Sequence, residues 1–196
     1  MGNLTDLFPV ASSNNILESF SAPADGRSVT VKSGTYTLGT VTGTQEGTET
    51  YAEATGSSID YVPPSGTKYV LYRYDYQWSG KDYSGITSLN ISFDGTTVTM
   101  SERGISSQYT NQGAYAEGNF SGCVEFVFDL TVSTTNKANG QIAPADWTTA
   151  KTIKANYREY RHDYESILHR NKYEDGTSSS GEEVYTKPII TIIAYS

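Results

Sequence analysis

The sequence predicts an all-β fold, namely a jelly-roll-like antiparallel β-sandwich with an extended N-terminal arm. Nearly every organised stretch alternates apolar and polar residues with the two-residue period of a strand. The 196 residues include 16 Tyr and 18 Gly, residue types that suit pleated surfaces and the turns between strands. The strand-like runs recur at a spacing of roughly 8–14 residues without a convincing long helix, which favours two sheets of about four strands each.

Residues 1–27 are predicted to form the arm, and residues 28–196 the β-sandwich domain. Apolar side chains in the arm fall into two groups that the polar run 12–15 separates, a pattern typical of an arm laid across another surface. Packing of the arm on its own domain is the equally weighted alternative. The residues expected to anchor the arm or to drive assembly are Leu4, Leu7, Phe8, Val10, Ile16, Leu17 and Phe20. No signal-peptide pattern is visible in residues 1–16.

The first strands of the sandwich are expected at 28–31 and 35–38, then at 48–54 and 57–62. A longer strand at 68–78 follows, and its alternation places a row of large side chains on one face. We interpret this face as a core seam, with a contact surface as the alternative, and its members are Val70, Tyr72, Tyr74, Tyr76 and Trp78.

Asp94-Gly95 joins two alternating runs, 88–93 and 96–100. This pattern predicts a hairpin with a type I′ turn, because that turn needs positive φ at both central residues. A further strand is predicted around 124–132. Cys123, the single cysteine, rules out an intrachain disulfide and is expected to be a small buried hydrophobe.

A short turn or helical piece is expected at 144–150, a strand at 152–160, and either a strand or one helical turn at 166–173. The last ten residues are apolar almost to the terminus. Because exposed termini fray, we expect this strand to be buried in the middle of a sheet. The same strand is predicted to supply the core of an oligomer through Ile189, Ile190, Ile192 and Ile193.

Charge and residue usage argue against several classes of function. With 14 basic and 22 acidic residues the net charge is −8, so the chain lacks the basic stripe of a nucleic-acid binder and is not expected to bind anionic membranes. His162 and His169 would lie on opposite faces of a strand, about 23 Å apart at roughly 3.3 Å per residue. We therefore expect surface or loop histidines, no metal site and no cofactor.

A catalytic set is equally hard to assemble from the sequence. No Gly-x-Ser-x-Gly nucleophile elbow occurs. Glu125 and Asp129 would lie about 13 Å apart on one strand face, too far for a glycosidase pair, which needs about 5–9.5 Å. We predict a non-enzymatic protein with no catalytic residues.

Aromatic residues in loops are the best candidates for ligand contact. They lie near Gly, Ser, Asn and Gln, and rings beside amides suit the binding of sugars or proteins. Scattered surface tyrosines are the alternative interpretation. The candidates are Tyr83, Tyr109, Tyr115 and Tyr173.

Several short segments together carry a family resemblance that covers roughly residues 16–196. The chain resembles small fibre or capsid-surface (decoration) proteins of aquatic tailed phages and related viruses. The segments that carry the resemblance are 22–31, 61–67, Arg158-Glu159-Tyr160, 173–176 and 187–192.

The resemblance implies a virion structural role without catalytic residues and, by wider analogy, a jelly-roll trimer. We therefore expect a non-enzymatic protein of the virion surface, a capsid-decoration or fibre component docked by its arm. Its expected partners are copies of itself, other virion proteins such as the major capsid protein, and a host-surface glycan. The alternative is a carbohydrate-binding adhesin or lectin-like module.

Overall fold

The computed structural model of the protein describes residues 15–80, 86–106, 118–161, 166–173 and 182–196. These residues form antiparallel strands and two short 3₁₀ turns, at Lys137–Asn139 and Pro144–Asp146. The strands are β1 (Ile16–Pro23), β2 (Ser28–Val31), β3 (Gly34–Thr37), β4 (Gln45–Glu46), β5 (Ala52–Glu53), β6 (Ile59–Tyr61), β7 (Tyr69–Gly80), β8 (Ile86–Phe93), β9 (Thr96–Ser106), β10 (Gly118–Asp129), β11 (Lys151–Glu159), β12 (Ser166–Leu168), β13 (Arg170–Tyr173), β14 (Glu182–Tyr185) and β15 (Ile189–Tyr195).

The strands build an antiparallel β-sandwich, as the sequence predicts. The first sheet has β7 at its centre, with β10 on one side and with β15 and β12 along the other. β1 pairs with the free edge of β15, and β4 pairs with the free edge of β12. The second sheet has the order β9-β8-β11, and β11 also pairs with β5 and β6. The chain crosses between the sheets from β7 to β8, from β9 to β10 and from β10 to β11, which is a jelly-roll-like connectivity.

The predicted aromatic seam of β7 lies in the core between the sheets. Its inward side chains alternate with partly exposed ones, and none of the five predicted members is more than 3% exposed. The Tyr72 hydroxyl donates to the carbonyl of Ser57 over 2.6 Å, and the Tyr74 hydroxyl donates to the carbonyl of Thr55 over 3.0 Å. Tyrosine therefore fills the core and also holds the loop between β5 and β6.

The predicted β8–β9 hairpin is confirmed at its turn. Asp94 has φ 47° and Gly95 has φ 80°, the positive values that a type I′ turn requires. Further from the turn the register shifts between Leu89 and Ile91. The Ser101 hydroxyl fills this bulge, since it accepts from the Ile91 amide over 2.8 Å and donates to the Val98 carbonyl over 2.6 Å.

The C-terminal strand β15 lies between β1 and β7, so the prediction that it is buried within a sheet is confirmed. The predicted oligomer core needs correction. Ile190 and Ile192 are fully buried in the core of a single chain and have no surface to offer a partner, whereas Ile189 and Ile193 face outward. Strand alternation causes the division, because successive side chains point to opposite faces.

The sandwich begins earlier than the boundary expected at residue 28. Ile16–Pro23 forms β1, whose register with β15 runs from the pair Ile16–Tyr195 to the pair Pro23–Ile189. Phe20 is 8% exposed and belongs to the core, while Ile16 is 58% exposed. Leu17 is half-buried at the register shift between Ile16 and Glu18, and the expected anchors Leu4, Leu7, Phe8 and Val10 lie outside the described residues.

Two further predictions about single residues are wrong. Cys123 is exposed, because it shares the outward face of β10 with Glu125. His169 is fully buried rather than at the surface. It separates β12 from β13 with φ 64°, and burial lowers its pKa to about 4. His162 lies outside the described residues.

Candidate functional site

A polar cleft opens at one end of the second sheet, where the ends of three strands meet. Its cavity has a volume of about 320 Å³ and lies between residues 86–88 of β8, Glu102 and Gly104 of β9, and the end of β11 with the following Tyr160. We call it the Glu102–Arg158 cleft. Register brings these residues together, since β8 pairs with β9 on one side and with β11 on the other.

The Glu102 carboxylate is held in place by hydroxyl groups. Its Oε1 atom accepts a hydrogen bond from the Tyr51 hydroxyl over 2.7 Å and one from the Ser88 hydroxyl over 3.2 Å. These two bonds and the charge of Arg158 lower the pKa of Glu102. The carboxylate is therefore ionised at neutral pH and fixed before any ligand arrives.

Arg158 lies beside this carboxylate. Its guanidinium carbon is 4.9 Å from the centroid of the Tyr51 ring, a cation–π contact, and its Nη2 atom is 3.9 Å from Oε1 of Glu102. Among the described residues, no acceptor lies within hydrogen-bonding distance of the buried Nε–H of Arg158. The cleft thus offers a fixed acceptor and a fixed planar donor side by side.

Two more side chains complete the wall of the cleft. Tyr160 is 60% exposed and offers an aromatic surface, whereas Glu159 is only 5% exposed and its carboxylate lies on the inner face of β11 beside Gly47. An aromatic ring beside a hydrogen-bonding pair is the arrangement that binds a ligand with one apolar and one polar side.

A different surface covers the outward face of the first sheet. Val127, Leu71 and Ile193 are paired across β10, β7 and β15 and form one row. Tyr69 and Tyr195 stand two residues further along the same face and continue the row beside Ile16. We call these six residues the outer apolar band; Val127 is 49% exposed and Ile16 58% exposed.

Those predicted site residues whose side chains the structure describes divide between the core and the outward face of the first sheet. The expected ligand contacts Tyr83, Tyr109 and Tyr115 lie outside the described residues, and only the backbone of Tyr173, in β13, is described. Of the predicted assembly residues, Ile16 and Ile193 belong to the outer apolar band, and Ile189, 40% exposed, lies on the same face of β15.

Neither a metal cluster nor a membrane-spanning helix is found in the described part of the chain. Over these ranges no group of three or more His, Cys, Asp or Glu side chains is placed to hold a metal ion. Over the same ranges no helix is long and apolar enough to cross a bilayer.

Comparison with known proteins gives no match: no family model matches the chain, and no curated protein matches it in sequence.

Sequence reasoning missed the cleft, although one signal pointed to it. Arg158-Glu159-Tyr160 is a polar and aromatic run at the end of a predicted strand, where functional side chains often gather. Its partner Glu102 could not be placed from the sequence. The bulge in β9 sets Ser88 opposite Gly104, whereas an unbroken hairpin register would set it opposite Ser101.

Proposed function

We propose that the protein is a non-enzymatic structural component of a virion surface, a capsid-decoration or fibre protein that assembles as a homotrimer. The observation that carries this proposal is the outer apolar band. Large contiguous apolar patches on a protein surface mark sites of contact, and this band, with two exposed and four half-buried members, crosses β10, β7, β15 and β1.

The occupant we propose for the band is a second copy of this chain. Charges beside the band have partners within the chain: Arg73 bonds to Asp75 over 2.6 Å and to Glu125 over 3.4 Å, and Asp129 accepts from the amide and the hydroxyl of Thr131 over 2.8 and 2.7 Å. A copy can therefore cover the band without burying a charged group that lacks hydrogen-bond partners. Copies with a net charge of −8 repel one another at long range, so salt should strengthen their association.

Asn15, the first residue that the structure describes, lies beside the same band. The carbonyl of Asn15 accepts from the amide of Ser196 over 3.0 Å, next to Tyr195 and Ile16. Residues 1–14 thus leave from the edge of the proposed contact between copies. We propose that this segment docks the oligomer on another virion protein, such as the major capsid protein.

Light scattering after size-exclusion chromatography tests the assembly, with Val127→Ser as the variant. We expect Val127→Ser to lower the native mass, and Val184→Ser to leave it unchanged, since Val184 is similarly exposed (56%) but lies in β14, outside the band. Equal behaviour of the two variants would contradict the role of the band. Deletion of residues 1–14 should leave the fold intact and abolish binding to particles.

A second function, recognition of a glycan by an adhesin or lectin-like module, is favoured by the Glu102–Arg158 cleft. The side chains that would do this are a fixed carboxylate, a guanidinium and an exposed tyrosine around one cavity. Binding to a glycan array tests it, and a blank array at high protein concentration would count against it.

A further inference from the structure

The charges of the Glu102–Arg158 cleft restrict the kind of ligand it can take. One carboxylate, that of Glu102, lies in the cavity beside the guanidinium of Arg158, whereas the carboxylate of Glu159 lies on the inner face of β11 beside Gly47. An anionic ligand would bring a like charge next to the carboxylate of Glu102, and a cationic ligand would compete with a guanidinium that already lies 3.9 Å from that carboxylate. The charges therefore favour a neutral ligand.

The hydrogen-bonding groups of the cleft restrict it further. Glu102 can only accept a hydrogen bond and Arg158 can only donate one. A ligand that satisfies both needs a donor and an acceptor close together, and two neighbouring hydroxyl groups on a ring provide that pair. The exposed ring of Tyr160, on the same cavity, offers a flat apolar surface to the C–H face of such a ring.

The size of the cavity sets the length of the ligand. At about 320 Å³ it stands at the lower end of the roughly 300–1,000 Å³ that small-molecule sites span. This volume suits one sugar ring rather than several buried rings.

We propose that the Glu102–Arg158 cleft binds one neutral sugar residue, with adjacent hydroxyl groups bridging Glu102 and Arg158 and the apolar face of the ring on Tyr160. This inference rests on the second function proposed above and assigns its site and ligand class. Tyr51 is a positioning residue here, because its hydroxyl fixes Glu102 while its ring packs against the guanidinium of Arg158.

The test is an NMR titration of the full chain with methyl glycosides of glucose, galactose and mannose, and with sialic acid as the acidic comparison. We expect at least one neutral glycoside to bind with a dissociation constant in the millimolar range, as is usual for a ligand of this size. Sialic acid should bind more weakly than that glycoside. No binding of any neutral glycoside, or tighter binding of sialic acid, would overturn the proposal.

A matched pair of variants ties the binding to the cleft. Glu102→Gln should weaken binding of the neutral glycoside about tenfold or more, because it removes the charge from a hydrogen-bonded acceptor. Glu125→Gln is the control: its side chain is 49% exposed against 54% for Glu102, it also pairs with an arginine, and it lies on the other sheet. Tyr160→Ala should weaken binding about two- to tenfold.

Retained near-ultraviolet circular dichroism confirms that each variant is folded. Equal effects of Glu102→Gln and Glu125→Gln would overturn the assignment of the site. Repeating the glycan array with Glu102→Gln distinguishes a failure of the proposed site from a failure of the proposed glycan-binding function. Array binding that survives this variant would leave the glycan-binding function standing and overturn this site, whereas a blank array with the unmodified chain would overturn the function itself.

Discussion

Two neighbouring isoleucines in β15 should contribute very differently to stability. Ile192 is fully buried in the core, whereas Ile193 lies on the outward face and belongs to the outer apolar band. Ile192→Ala removes buried carbon atoms worth about 0.8 kcal/mol per methylene and leaves a cavity, so the total loss should be about 2–5 kcal/mol. Ile193→Ala leaves the core packing of one chain untouched and should cost less than about 1 kcal/mol when the chain is monomeric.

Urea unfolding, followed by tryptophan fluorescence at one fixed protomer concentration low enough for the chain to be monomeric, measures this difference. A loss of about 3 kcal/mol at a slope near 2 kcal/mol/M lowers the midpoint by roughly 1.5 M for Ile192→Ala. The midpoint for Ile193→Ala should fall by less than about 0.5 M at an unchanged slope. Equal shifts, or a larger shift for Ile193→Ala, would refute the assignment of these two side chains to opposite faces. Holding the concentration fixed matters because assembly itself stabilises a folded chain.

Three other predictions concern single residues. Gly95→Ala should lower stability by about 1–2 kcal/mol in thermal unfolding, because φ 80° strains any residue with a Cβ. Gly104→Ala, where an added Cβ meets no atom within 4 Å, should not lower stability. Cys123 should react with a thiol reagent in the native state, and labelling only after denaturation would contradict its exposure. The pKa of His169 is about 4 in the folded chain against 6.5 in the unfolded chain, so the folded state favours the neutral imidazole. Stability should therefore fall as the pH drops from about 6.5 to 4, by up to about 3 kcal/mol, and His169→Asn should flatten that part of the profile.

Local patterns predicted those parts of the fold that depend on local interactions. The alternation of β7 and the Asp94-Gly95 turn are each complete within about a dozen residues, and both are confirmed. The interior position of β15 also followed from its composition, because an apolar strand with water on both faces is unfavourable.

The strand β1 was missed because a charged residue occupies one of its inward positions. Glu18 is only 7% exposed, which breaks the apolar alternation that marks a strand. Its burial is compensated by distant groups: Oε1 accepts from the Ser33 and Tyr61 hydroxyls, each over 2.6 Å, and Oε2 accepts from the Ser33 amide over 2.9 Å. Partners that lie 15 and 43 residues away cannot be read from the local pattern.

Two other errors have different physical causes. The alternation of 48–54 predicts a strand, but only Ala52–Glu53 pairs, because the chain bends at residues 49–50, where the Thr48 hydroxyl donates to the carbonyl of Thr50 over 2.8 Å. Cys123 was assigned to the core by the average behaviour of cysteine. The alternation of β10, with Val124 inward, gives the better answer, because it places residue 123 outward.

The native mass in solution tests the proposed assembly most directly. Light scattering at increasing protein and salt concentrations should approach three times the chain mass of 21.4 kDa, with salt favouring the larger species. The Val127→Ser variant should shift the mass toward that of one chain under the same conditions. A mass of one chain for the unmodified protein, at all concentrations and at high salt, would contradict assembly through the outer apolar band.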